Sequence, residues 1–426
     1  MEKTRSQRKL KREYIYVLFI FSTSLFISGY EVGILPWGII YMKNTFYPYL
    51  IQPLTTTIFL GAILLGYLIG PMFSGILTDI FGRKRMYVLN LIFLLIFGLL
   101  SISFEIFYIN VIMRILFGFF MGSEFPIANS YVAEFSNPDV RGKYLAFLNV
   151  VYTLGATFGV LISFVIPQIM PADPVGWRLL IGIGLIPAPF AIYFRSRISE
   201  SQKWENLKGK SYGIEIVRSM FSGRGGKYTI LNSINWFLFD MAAYGTSLFL
   251  PYILSRMGKQ ILYLNTVELI TAFLIGGLII SVSIIVMYIV DIIGRKILQI
   301  IGSIGVSIVL FTIPIWINSS ISVLIFSIAV SEIFIQFVST TVGIFPAELA
   351  KTDYRGSAYG FAVMMGKFGS LLGLFFVGSS EFESRTAIVN MQYFGVASLL
   401  IAIITLFLVD FTRMDLDKII EIKENL

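Results

Sequence analysis

One charged loop occurs twice in a chain that is otherwise mostly apolar. Gly75-Ile-Leu-Thr-Asp79-Ile-Phe-Gly82-Arg83-Lys84 returns as Asp291-Ile-Ile-Gly294-Arg295-Lys296, 212 residues on. A second loop, Glu134 to Asp139-Val-Arg141-Gly142, returns as Glu348 to Asp353-Tyr-Arg355-Gly356, 214 residues on. The offset continues beyond the loops, because Phe147, Gly155 and Gly159 match Phe361, Gly369 and Gly373. One half of the chain is therefore a diverged copy of the other. Duplicated helical halves place a polar site between them, near the middle of a bilayer.

The composition agrees. Of 426 residues, 56% are hydrophobic and the mean hydropathy is +0.81, too apolar for a soluble domain of this length. Apolar runs long enough to cross ~30 Å of hydrocarbon recur at about 16–41, 54–78, 86–103, 106–130, 144–166, 179–194, 229–254, 264–289, 297–316, 320–347, 357–378 and 387–411. The expected fold is an all-α membrane protein of twelve transmembrane helices in two six-helix, pseudo-symmetric halves. The halves are 1–194 and 229–426, joined by a basic linker at 195–228 whose start could form a short amphipathic helix at the membrane surface.

The net charge is +8. With the N-terminus inside, the inner segments carry 26 Lys/Arg and the outer loops five: Lys43, Arg178, Arg256, Lys259 and Arg385. That asymmetry places both termini in the cytoplasm of a multi-pass cell-membrane protein. The run Lys9-Leu-Lys-Arg12 helps hold the first end there. The basic charge reports topology and contact with anionic lipid, not nucleic acid. No small-residue cleavage site follows a short apolar run, so no signal peptide is expected.

The chain has no cysteine and no histidine. Disulfides, Cys/His metal sites and His-based nucleophilic pairs are excluded, so neither an enzyme nor a metal or other cofactor is expected. Proton handling near neutral pH falls to buried carboxylates. Six charges fall inside apolar runs: Glu31, Arg114, Glu124, Asp240, Glu332 and Lys367. Each would cost ~2.5–3.5 kcal/mol or more at a helix centre facing lipid, so each should face the interior and a partner. Static packing between helices would satisfy the same demand. Trp236, Asp240 and Tyr244 recur every four residues and line one helix face, offering an indole N–H, a carboxyl and a phenol.

The pattern G-x-x-x-D-x-x-G-R-K resembles the loop motif of the major facilitator superfamily, with Met287 replacing the leading glycine of the second copy. The resemblance implies cytoplasmic gates made by Asp79, Arg83, Glu134 and Arg141, with Asp291, Arg295, Glu348 and Arg355 as their repeat partners. Gly75 would permit close helix approach, and Gly82 and Gly294 tight turns. Within that superfamily the stretch Trp236–Gly245 resembles the seventh helix of the phosphate:proton symporters. Arg114-Ile-Leu-Phe-Gly118-Phe-Phe-Met-Gly122-Ser-Glu124-Phe125-Pro126 resembles their fourth-helix segment. Ser339-Thr340-Thr341 to Pro346-Ala-Glu348 resembles the tenth, and Gly366-Lys367-Phe-Gly369 the eleventh. Ser28-Gly29-Tyr30-Glu31 sits where that family has an acidic first-helix motif.

The departures fall where substrate would bind. Phe125 stands for a tyrosine, Tyr152 for a glutamine and Ser339 for an asparagine, while Glu31 and Glu124 replace aspartates. Sugar porters share the Glu134/Arg141 loops, but the paired glutamines of their seventh helix are absent. Ser199-Glu-Ser-Gln-Lys-Trp204 only loosely matches their P-E-S-P-R-W loop.

The resemblance implies a monomeric, proton-coupled symporter for a small anion, inorganic phosphate first. Asp240, Glu31 and Glu124 would be the proton sites, with Arg114 biasing one carboxylate toward ionisation. Trp236, Tyr244, Tyr152, Ser339 and Lys367 would hold the anion beside Asp240 and Phe125. A sugar or organic-anion carrier of the same fold is the alternative. A channel or a non-transporting receptor is a further reading, disfavoured by the duplicated gates.

Overall fold

The computed structural model describes residues 18–35, 38, 42, 45–46, 49–51, 53–170, 175–206, 214–247, 266–316, 321–378 and 384–414. The basic run Lys9–Arg12, and Lys43, Arg256 and Lys259, lie outside the described residues. Within them every regular element is helical. Hydrocarbon offers the backbone no hydrogen-bond partner, and a helix satisfies its own N–H and C=O groups.

The first six passes are α1 (Leu18–Leu35), α2 (Pro53–Phe81), α3 (Arg83–Ser103), α4 (Phe107–Phe135), α5 (Arg141–Ile169) and a divided span, α6 (Gly176–Leu185) with α7 (Pro187–Arg195). The division falls where Pro187 supplies no N–H. The second six are α10 (Gly223–Ser247), α11 (Thr266–Ile293), α12 (Arg295–Trp316), α13 (Ile321–Leu349), α14 (Arg355–Gly378) and α15 (Ser384–Thr405). Among the described residues, ten spans are long and apolar enough to cross a membrane by themselves. The polar α10 and the shorter apolar α15 complete twelve. The short gap between the apolar runs 86–103 and 106–130 is a real break, since α3 ends at Ser103 and α4 starts at Phe107.

Two seams join the halves: α2 lies against α14, and α5 against α11. The repeat offset carries α2 onto α11 and α5 onto α14, so an internal two-fold exchanges the seams. Glycines bring the helices together. A Cβ at Gly75 would come 2.3 Å from the Gly356 carbonyl oxygen, and one at Gly360 2.1 Å from that of Pro71.

The segment between the halves holds α8 (Gln202–Glu205) and α9 (Ile214–Phe221). Its amphipathic helix is α9, near its end and not at its start. Ile216 and Met220 pack on Ala350, Tyr354 and Ala358, beside Met72 and Ile80 of α2. The start is tied down as a cap: Trp204 Nε1 donates to the Asp79 carbonyl at 2.7 Å, and Glu200 accepts from the backbone of Arg83 and Lys84. Arg195, read from sequence as a linker charge, is fully buried at the end of α7.

Candidate functional site

The stripe on α10 meets α14 midway along its length. Lys367 Nζ lies 2.6 Å from Asp240 Oδ2 and donates to Tyr244 Oη at 3.0 Å. Ser370 Oγ donates to the same Asp240 oxygen at 3.2 Å. Asp240 and Lys367 are 2% and 4% exposed, so each is the other's counter-ion in a low-dielectric setting. The ammonium also sits over the rings of Tyr244 and Tyr67, 4.3 and 4.8 Å from their centroids.

The cluster reaches across to the first half. Tyr152 and Tyr244 hydroxyls are 3.2 Å apart. Phe125 stands edge-on to Tyr152 and tilted against Tyr67, with centroids at 5.5 and 5.9 Å. Trp236 packs edge-on against Tyr359. Ser339, expected here as a ligand, instead donates to Asn149 Oδ1 at 2.9 Å, and Asn149 donates to Thr340. One turn away, Gln336 Oε1 accepts from Thr153 and Ser283. These bonds tie α5 to α13 and α11.

The other intramembrane charges fall into three settings. Glu31 and Arg114 face each other electrostatically on α1 and α4, and Arg114 also stacks over Phe59 at 4.6 Å. Glu31 Oε1 and Arg114 Nε have no hydrogen-bond partner among the described residues. Glu124 is held differently. Arg195 grips it with two bonds of 3.1 Å, and Asn90 adds one of 2.8 Å. The guanidinium lies 3.4 Å from the Tyr87 ring centroid. Glu332 sits half-buried on α13, one turn from Gln336, and has no ion pair among the described residues.

All eight expected loop residues converge. Glu134 binds Arg83 of its own half at 2.9 Å and Arg355 of the other at 3.0 Å. Glu348 does the same with Arg295 at 2.9 Å and Arg141 at 3.0 Å. Asp79 pairs with Arg83 and accepts the N–H groups of Gly356 and Ser357, at the start of α14. Asp291 pairs with Arg295 and accepts the Lys143 N–H near the start of α5. Each Asp therefore sits at the positive end of a helix from the opposite half. The four arginines are at most 1% exposed, so the network is desolvated. Gly82 and Gly294 take φ of 98° and 97°, the left-handed turn that only glycine adopts without strain.

Three participants were not anticipated from sequence. Tyr67 is fully buried in the central cluster with an unpartnered hydroxyl. Glu200 caps α3, and Asp410 accepts the Lys296 N–H at the start of α12. The 210 residues between those two acids were a readable signal. Among the described residues no group of three or more His, Cys, Asp or Glu could hold a metal ion.

Two helical halves, a shared polar centre and a doubled ion-pair seam define a membrane transport protein rather than an enzyme. The Major Facilitator Superfamily model matches residues 16–374, and the chain belongs to that family. It is 25% identical over 342 residues to NiaP, a candidate niacin/nicotinamide transporter of Bacillus subtilis, covering 79% of this chain and 82% of that one. It is 26% identical over 383 residues to the repressible high-affinity phosphate permease of Neurospora crassa, covering 72% and 67%. The fold superposes on the proton:xylose symporter XylE with a TM-score of 0.82 at 17% identity, covering 96% and 98%.

Proposed function

We propose that the protein is a proton-coupled symporter of a small anion, working as a monomer by alternating access with its charged-loop end in the cytoplasm. The observation that carries this is the buried Lys367–Asp240 pair, hydrogen-bonded through Tyr244 to Tyr152 of the opposite half. An anion entering beside Asp240 meets repulsion. Protonating Asp240 removes it and frees the Lys367 ammonium to take the anion as its new counter-ion. One free-energy term then links proton and anion binding. Once the far side opens, loss of the proton restores the Lys367–Asp240 pair and expels the anion.

Glu31 is a further proton site beside Arg114, supported by its unpartnered oxygen. Glu124, with both oxygens on Arg195, serves coupling only if that grip is released. Asp79, Arg83, Glu134, Arg141, Asp291, Arg295, Glu348 and Arg355 form the gate that holds the cytoplasmic end shut.

Inorganic phosphate is the anion that the motif resemblance and the Neurospora relative support. An organic anion is the second reading, favoured by the rings of Phe125, Tyr152 and Tyr67 around the pair and by the Bacillus relative. Uptake of labelled phosphate and of labelled nicotinate into proteoliposomes, with and without an inward proton gradient, tests the proposal. Gradient-driven accumulation of either supports symport. Equilibration that ignores the proton gradient for both, and for a panel of other anions, would overturn it.

A further inference from the structure

The donors and walls of the central cluster discriminate among anions more finely than its charge does. Lys367 has three N–H groups, and two are engaged by Asp240 and Tyr244. The Tyr152 and Tyr244 hydroxyls bond each other, which uses one of their two O–H donors. Tyr67 contributes a hydroxyl with no partner, fully buried and within electrostatic reach of Asp240, Tyr152 and Tyr244. The third Lys367 N–H, one hydroxyl hydrogen of the Tyr152–Tyr244 pair and the Tyr67 hydroxyl are the donors left around the ammonium. The rings of Tyr67 and Tyr244 lie against it, and Phe125 adds a ring with no polar atom.

A phosphate presents four oxygens over a tetrahedron, and each one buried without a donor is costly. A carboxylate asks for donors along one edge only. Its aromatic body matches edge-on and stacked ring contacts. The charge balance selects monoanions, a carboxylate or dihydrogen phosphate, over dianions. Lys367 and Asp240 together are neutral, and they stay neutral when one proton and one monoanion are added. A dianion would leave an uncompensated charge in a low-dielectric interior.

We infer that the transported anion is a flat aromatic monocarboxylate, its carboxylate held by Lys367 and the Tyr67 hydroxyl and its ring against Phe125 and Tyr152. This rests on the anion-symport reading above. The experiment uses the purified full chain and measures binding by thermal shift and calorimetry. The probes are benzoate, cyclohexanecarboxylate, benzamide and inorganic phosphate.

Benzoate should bind, cyclohexanecarboxylate about ten-fold more weakly for want of ring contacts, and benzamide and phosphate not at all. Tyr67→Phe, which keeps the ring, should weaken benzoate roughly ten-fold or more while leaving the melting temperature of the unliganded protein unchanged. Phosphate binding more tightly than benzoate, or an unaltered benzoate affinity in Tyr67→Phe, overturns the inference. Proton-driven accumulation of phosphate that depends on Asp240 would leave the symport reading intact and remove only this one. Absence of proton-driven accumulation for every anion removes both.

Discussion

A lysine inside a membrane span keeps its charge only beside a counter-ion, and Asp240 fills that place at 2.6 Å. Asp240→Asn keeps the shape of the neutral acid but has no proton to release. It should retain anion exchange between equal concentrations while losing accumulation against a gradient. Accumulation at the native level in counterflow and gradient assays would assign coupling elsewhere. The Glu124–Arg195 pair makes the opposite point. Arg195→Met leaves a buried carboxylate unpaired and should cost about 3–5 kcal/mol of stability, read as a lower melting temperature. Arg195→Met with Glu124→Leu should recover much of that loss; a double variant no more stable than the single would contradict a pairing role. Lys367 and Asp240 were legible in the sequence because charges in apolar runs stand out. Arg195 was not, since it closes an apolar run and looks like the first residue of a basic loop. Tyr67 was hidden for a different reason. A tyrosine in a span carries no charge, and only its unpartnered hydroxyl in three dimensions marks it.

At the scale of elements, the proposed gate rests on the two seams between the halves. The α2–α14 seam closes over Gly75 and Gly360, where any side chain would meet backbone. Gly75→Leu should wedge that end apart. Glu348→Gln should act in the same direction by releasing Arg141 from Arg295. Removing one member of a buried network costs on the order of 3–5 kcal/mol, which is enough to move a two-state equilibrium by more than a hundred-fold. The chain has no cysteine, so Asn149→Cys can report accessibility from the charged-loop end without background. Labelling there should rise in both variants; unchanged labelling would leave the loops a topological role alone. The repeat made the eight paired loop residues readable in advance. Their burial was not readable, because it depends on two halves meeting. Capping by Glu200 and Asp410 was overlooked since the flanking residues of these acids share no motif, only a common distance from their repeats.

Across the whole molecule, the internal two-fold explains why one end carries both sets of charged-loop pairs. Each seam brings a carboxylate from one half to the helix start of the other, and the two sets lie at the same end. Among the described residues, the linker segment and the doubled loops share one face. On the Lys/Arg excess, the proposed topology puts this face in the cytoplasm. Cysteines introduced at Ser6, at Ser222 beside α9 and at Asn425 should react with a membrane-impermeant maleimide only after cells are opened. Glu105→Cys, in the opposite turn where Glu105 pairs with Arg178, should react in intact cells. Reaction at Ser222→Cys from outside with Glu105→Cys protected would invert the protein, and the proton-driven direction proposed for transport would invert with it.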